Sequence, residues 1–249
     1  MKKDTTVLAD LITLTRQLAD NRFVILGEGN TSARDGETLW VKASGHSMAD
    51  IDASGFSQVA TQPILDVLDL YDLSDDQLRR RLNDARVDPE RDGYPSTETY
   101  MHAWLLTLPA VKFVSHTHPT TTLGIMCGPR AQEFADNRYF PDQIAMCGPR
   151  SVFVKYVAPG LRLAQEIRSQ CQKYTEETGL QPKTILLQNH GLIALGQKTK
   201  EALSATMMMD KAASVFNTAR DPVALSQEEV SKIQNWTDEH FRQSKIWED

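Results

Sequence analysis

Cysteine is scarce in this chain, with three in 249 residues at Cys127, Cys147 and Cys171. They form no CxxC pair and their number is odd, which argues against a disulfide framework and for a reducing, cytoplasmic compartment. No run of 18 apolar residues occurs, and the start Met1-Lys2-Lys3-Asp4 has no secretory pattern, so neither a membrane span nor a membrane partner is expected. Basic charge is in deficit: 27 Lys and Arg face 33 Asp and Glu, for a net charge of −6. Such a balance argues against a nucleic-acid partner, and any anionic ligand must be met by local groups. Gly27-Glu28-Gly29 lacks the third glycine of a dinucleotide fingerprint, and no His-Glu-x-x-His occurs. The 41% hydrophobic content suffices for one sizeable core, and no linker composition divides the chain. A single domain over 1–249 is expected.

Hydrophobic periodicity gives the outline. Val7, Leu8, Leu11, Ile12, Leu14 and Leu18 form a helical stripe over 5–20. Phe23-Val24-Ile25-Leu26 reads as a short buried strand, followed by a glycine-rich turn and a returning strand over 38–43. Helices are expected around 56–60, 74–84, 96–107, 161–178 and 199–219, and as one final amphipathic helix over 226–247. Residues 85–95 are polar, hold two prolines and a glycine, and read as a loop. The segment between Phe134 and Tyr156 shows no clear regular element. Met126-Cys127-Gly128-Pro129-Arg130 recurs as Met146-Cys147-Gly148-Pro149-Arg150, which similar turn chemistry explains. Strands and helices alternate without strict βαβ rhythm. An α/β/α three-layer fold with a mixed sheet follows.

What is present in place of those missing motifs is histidine at strand ends. Val111-Lys112-Phe113-Val114-Ser115-His116-Thr117-His118-Pro119 is an apolar strand closed by proline. Residues i and i+2 of a strand point the same way, so His116 and His118 can converge on one ion. His190 ends a second apolar strand, Thr184 to Asn189, just before Gly191. Three neutral imidazoles around an open position are the donor set of a catalytic divalent metal. Ordinary hydrogen-bonded strand ends are the plainer alternative, which suits a lone histidine better than this pattern. Upstream, Pro95-Ser96-Thr97-Glu98 reads as a helix start. A negative charge is favoured there by the helix dipole alone, and Glu98 is also a candidate metal ligand, general base, or both. His102, one turn on, is expected to be packed rather than to act.

In this order the motifs resemble the class II aldolase/adducin family. The resemblance runs from about residue 10 to 210, with 226–247 as a helical extension. It rests on Gly27-Glu28-Gly29-Asn30-Thr31-Ser32, Val41-Lys42-Ala43-Ser44-Gly45, Pro95-Ser96-Thr97-Glu98, His116-Thr117-His118-Pro119 and Asn189-His190-Gly191. Val157 to Ala164 and Phe140-Pro141-Asp142-Gln143 look like the rhamnulose-1-phosphate aldolase-like branch. The resemblance implies a largely antiparallel central sheet and a zinc or other divalent ion on His116, His118 and His190. Glu98 would be an exchangeable fourth ligand and catalytic acid/base. The phosphate of a sugar-phosphate substrate would meet Asn30, Ser44, Gly45, Ser96 and Thr97; the neighbouring Lys42 could help, although an outward strand lysine is usually solvated. The implied reaction is retro-aldol cleavage of a short ketose phosphate or sugar-acid phosphate through a metal-stabilised enediolate. Epimerase, dehydratase or decarboxylase chemistry would use the same apparatus, and an adducin-like interaction module would use none of it. A second acid/base is sought among Tyr139, Asp142 and Tyr156. The family further implies a homotetramer with sites at subunit boundaries.

Overall fold

The computed structural model describes residues 6–90 and 93–247. Seven strands form one sheet: β1 (Asn30–Asp35), β2 (Thr38–Lys42), β3 (Phe56–Ala60), β4 (Phe113–Thr117), β5 (Val152–Val154), β6 (Thr184–Leu187) and β7 (Gly191–Gly196). Their order across the sheet is β3-β2-β1-β4-β7-β6-β5. Every pairing is antiparallel except β5 with β6. The mixed, largely antiparallel sheet of the resemblance is therefore present.

Alternation along the strands sorts side chains onto two faces. Leu39, Val41, Val114, Ile185, Leu187, Ile193 and Leu195 enter one core. Helices α4 (Thr99–Leu105) and α8 (Leu161–Thr178) cover it through Tyr100, Met101, Leu163 and Ile167. Trp40, Phe113, Leu186 and Leu192 face the other way. They meet α1 (Thr6–Gln17) and α9 (Thr199–Thr218) through Leu8, Leu11, Leu14, Ala202 and Met209. Each face is thus roofed by helices, and the α/β/α layering follows. Among the described residues, no helix is long and apolar enough to cross a membrane.

Several local expectations change. Phe23 and Val24 are buried, but 23–26 joins no ladder. Leu26 is 86% exposed with φ 57°, a turn conformation that ends any strand. The strand lies instead at Asn30–Asp35, read from sequence as part of a turn. Its polar composition hides it, yet it pairs on both sides. Residues 56–60 form β3 rather than a helix, because pairing along β2 decides a short run that periodicity leaves ambiguous. The segment Phe134 to Tyr156 is also more regular than expected. The end of α6 (Ala131–Asp136), all of α7 (Pro141–Cys147) and β5 occupy it. The final helix is two helices, α10 (Gln227–Gln234) and α11 (Thr237–Ile246), broken at Asn235 and Trp236. The remaining helices are α2 (Thr61–Leu65), α3 (Asp75–Asp84) and α5 (Thr120–Met126). A capping box from Ser74 to Gln77 starts α3.

Candidate metal centre

Three elements bring the polar residues together. His116 follows Val114 by two positions on β4, so it lies on the face that α4 covers. His118 comes just after the strand, its backbone N–H bonded to the Phe23 carbonyl at 2.8 Å. His190 sits in the tight turn between β6 and β7. Asn189 takes φ 55° there, a conformation that asparagine tolerates. Glu98 immediately precedes α4, where its backbone N–H donates to Ser96 Oγ at 3.2 Å.

The ligand atoms of His116, His118 and His190 all lie within 4.8 Å of one another. His116 is fully buried, and its Nδ1 donates to the Leu192 carbonyl at 3.1 Å. A neutral imidazole has one N–H, so His116 Nε2 presents a bare lone pair. It lies 3.1 Å from His118 Nε2 and 3.5 Å from Glu98 Oε1. Glu98 Oε1 is also 3.2 Å from His190 Nε2, yet it is buried with no hydrogen-bond partner. Burial pushes His116 and His118 down to about 4, so both are neutral at pH 7. Burial opposes ionisation of Glu98, but the positive charge that His116 takes on in acid, the close approach of His190 Nε2 and the Asn30 amide outweigh it and hold the carboxyl well below its usual range.

Without a cation, an N–H on His118 Nε2 can bridge to His116 Nε2; a cation between the rings would let all three turn bare nitrogens, and Glu98 its carboxylate, toward it. Bonds of about 2.0–2.1 Å to a tetrahedral zinc would put neighbouring ligand atoms about 3.3 Å apart. Three of the six separations among these four ligand atoms, at 3.1, 3.2 and 3.5 Å, fit that spacing. Imidazole with carboxylate suits zinc and equally manganese, cobalt or iron. The second ring nitrogen of His118 faces Glu28 Oε2 at 3.8 Å, beyond hydrogen-bond reach, and that oxygen accepts from the Ile25 backbone N–H at 2.9 Å.

Asn30 stands directly across the ladder from His116. Its Nδ2 donates to Glu98 Oε2 at 2.7 Å and approaches Ser96 Oγ at 3.4 Å. A bridge between Ala43 and Pro95 joins the loops carrying Ser44-Gly45 and Ser96-Thr97. Ser44, Ser96 and Thr97 line one cleft of about 910 Å³, which also holds Arg79, Tyr94 and Arg162. Gly29, the second glycine of the turn, has φ 66°, and a Cβ there would lie 2.7 Å from the His116 carbonyl oxygen. That glycine is required by close packing on the metal strand.

Sequence reasoning named two further residues but undervalued them. Lys42 is only 3% exposed and donates to the Gly27 carbonyl at 3.3 Å. Burial lowers it to about 8, against an opposing pull from Glu98. His102 is packed as expected but also bonds Asn30 Oδ1. The three candidates for a second acid/base are scattered. The Tyr139 ring packs on Phe134 and Phe216, and its hydroxyl is buried without a partner. Asp142 is engaged by Arg242 at 2.6 Å. Tyr156 is 59% exposed, and its backbone N–H reaches Gln188 Oε1 in the turn that carries His190.

Comparison with known proteins agrees with this architecture. The family described as Class II Aldolase and Adducin N-terminal domain matches residues 9–216. The chain belongs to that family. An N-terminal class II aldolase domain of a conserved protein from Thermoplasma acidophilum is 27% identical with a TM-score of 0.68, over 87% of this chain and 96% of that one. An L-fuculose 1-phosphate aldolase superposes with a TM-score of 0.69 at 20% identity, over 96% and 98% of the two chains. YgbL from Escherichia coli, described as a putative aldolase/epimerase/decarboxylase, superposes with a TM-score of 0.66 at 19% identity, over 92% and 98%. A Bacillus subtilis (strain 168) protein named uncharacterized oxidoreductase YuxG is 28% identical over 215 residues. The match covers 82% of this chain but only 28% of that longer protein.

Proposed function

We propose that the protein is a metal-dependent carbon–carbon lyase acting on a short ketose phosphate or sugar-acid phosphate. The observation that carries this reading is the convergence of three imidazoles and Glu98 Oε1 on one point beside two hydroxyl-bearing loops. His116, His118 and His190 would hold a divalent ion, zinc in our reading, with Glu98 as exchangeable fourth ligand. When bound, the ion supplies a Lewis acid for the carbonyl and hydroxyl oxygens of the substrate.

The chain's own residues do the rest. In the retro-aldol direction a base takes the proton from the hydroxyl on the departing aldehyde carbon. The adjacent C–C bond breaks, and its electron pair passes into the former carbonyl group of the ketose fragment. An acid then protonates the carbon that was cleaved. Glu98, lodged at the triad, is our candidate for that transfer: as a carboxylate it first takes a proton from a substrate hydroxyl or a water, and then gives that proton to the cleaved carbon. Tyr156 is our candidate for the hydroxyl proton, because it is exposed beside the His190 turn while Tyr139 is packed and Asp142 is ion-paired. Asn30, Ser44, Gly45, Ser96 and Thr97 would receive the phosphate. Lys42 adds a nearby positive charge, which favours an anionic group there.

We further read the protein as a cytoplasmic homo-oligomer, a tetramer by family. Ile25, Leu26, Trp236 and Phe241 are exposed apolar side chains that a partner subunit would cover. The test of function is aldehyde release from a panel of ketose 1-phosphates, with and without EDTA, by wild type and Glu98→Gln. Glu98→Gln should keep the metal and lose about two to four orders of magnitude in turnover. A chelator-insensitive rate, or a Glu98→Gln rate equal to wild type, would remove this mechanism. Inversion or decarboxylation of a substrate without aldehyde release would move the protein to another reaction of the family.

A further inference from the structure

A buried histidine stands behind the metal centre without touching it. His102 is fully buried on α4, one turn beyond Glu98. Its Nδ1 lies 2.6 Å from Ser32 Oγ, and its Nε2 bonds Asn30 Oδ1. Asn30 in turn gives Nδ2 to Glu98 Oε2 at 2.7 Å. Ser32, His102, Asn30 and Glu98 thus form one continuous chain of hydrogen bonds ending at the three imidazoles. Ser32 and Asn30 are two residues apart on β1, so both side chains face α4.

We infer that His102 is a positioning residue: as the Nε2–H tautomer it fixes the Asn30 amide, and through that amide the carboxylate of Glu98. The inference rests on the proposed role of Glu98 in proton transfer. An amide oxygen only accepts, so the nitrogen facing Asn30 Oδ1 must carry the proton. Burial holds His102 down at about 4, so the ring is neutral and has one N–H to give. Nδ1 is then bare and accepts from the Ser32 hydroxyl. Each donor in the chain is used once.

The reverse arrangement fails at the other end. Turning the Asn30 amide over would set its oxygen against Glu98 Oε2, two acceptors 2.7 Å apart. With His102 in place the amide has one orientation, and its NH2 group grips one carboxylate oxygen while the other faces the triad. Without a donor at that position, Asn30 Oδ1 loses its partner, the amide is held at one end only, and its grip on Glu98 loosens.

The variants are His102→Leu, which removes the donor, and His102→Gln, whose amide nitrogen can take the place of Nε2. Two readouts are combined. Nitrogen-15 NMR on the metal-free protein reads the tautomer of the His102 ring and the side-chain amide of Asn30. Kinetics on a ketose phosphate that the wild type cleaves, with metal content per chain, reads function. The expected results are an Nε2–H ring in wild type and displaced Asn30 amide resonances in His102→Leu. Metal content should be unchanged, with kcat about 10²-fold lower and KM within about twofold. His102→Gln should recover most of kcat. An Nδ1–H ring in wild type would overturn the inference, as would His102→Leu with wild-type kcat, or a kcat loss in His102→Gln equal to that in His102→Leu. If His102→Leu does not fold, the wild-type tautomer and the His102→Gln rate still decide. If no ketose phosphate is cleaved, the proposed reaction fails, and the tautomer and the Asn30 resonances still test His102.

Discussion

Replacing Gly191 with alanine adds one methyl group where the two histidine strands meet. The added Cβ would lie 2.5 Å from the Thr117 carbonyl oxygen, 2.8 Å from His118 Cδ2 and 3.4 Å from His116 Cε1. Ordinary carbon–oxygen contact begins near 3.3 Å, so the methyl is about 0.8 Å too close to a backbone atom that cannot rotate away. Either β7 or the end of β4 must move, and His118 moves with it. Overpacking of this kind costs about 1–3 kcal/mol. Metal sites tolerate only about 0.2 Å of ligand displacement, so affinity should fall by about 10–100-fold. Urea unfolding of the metal-free protein reads the first effect, and competition with a chromophoric chelator reads the second. Gly124→Ala is the control, since a Cβ there meets nothing within 4 Å on α5. That substitution should stabilise the protein by about 0.4–1 kcal/mol. If Gly191→Ala matches wild type in both assays, the close approach of the two strands does not govern the site.

Two further outcomes follow from buried groups. Arg138 is fully buried and donates to the carbonyls of Ala135, Asn137, Cys147 and Gly148 and to Ser151 Oγ, tying α6 to α7. Arg138→Met should cost about 3 kcal/mol or more in urea unfolding, since each stranded buried acceptor costs about 1–3 kcal/mol; a loss under about 1 kcal/mol would contradict this. Burial holds His102, His116 and His118 at about 4 in the folded protein, against 6.5 for a freely solvated histidine. Between those values the unfolded chain binds more protons, so stability is full above pH 6.5 and falls as pH drops toward 4. The slope reaches about 1.4 kcal/mol per pH unit per histidine, and a metal-free urea midpoint that stays flat from about pH 7 to 4.5 would refute it.

Periodic segments were legible in the sequence because burial imposes their pattern. The helix at Leu161–Thr178 and the strand at Phe113–Thr117 have the apolar spacing their packing requires. The strand at Asn30–Asp35 was hidden because the site itself suppresses its apolar pattern. Asn30 and Ser32 spend their side chains on Glu98 and His102, and Thr31 bonds Thr15 at 2.6 Å. Phe23 to Leu26 misled for the opposite reason: the run is apolar, but Ile25 and Leu26 leave the core. The three histidines could be named from sequence because each sits at a strand end. The burial of Lys42 was not legible, since alternation gives a strand residue's side and not what covers it. His102 was assigned to packing correctly, but its bond to Asn30 depends on how α4 lies over β1, which one sequence does not fix.

The central claim is that His116, His118 and His190 hold one divalent ion with Glu98 beside it. Anomalous diffraction from crystals of the protein loaded with one equivalent of zinc tests this most directly. The account predicts a single strong peak at the zinc edge, equidistant from the three imidazoles and within reach of Glu98 Oε1, and its loss in crystals of His116→Ala. A peak held by other residues, or a peak unchanged in His116→Ala, would contradict it.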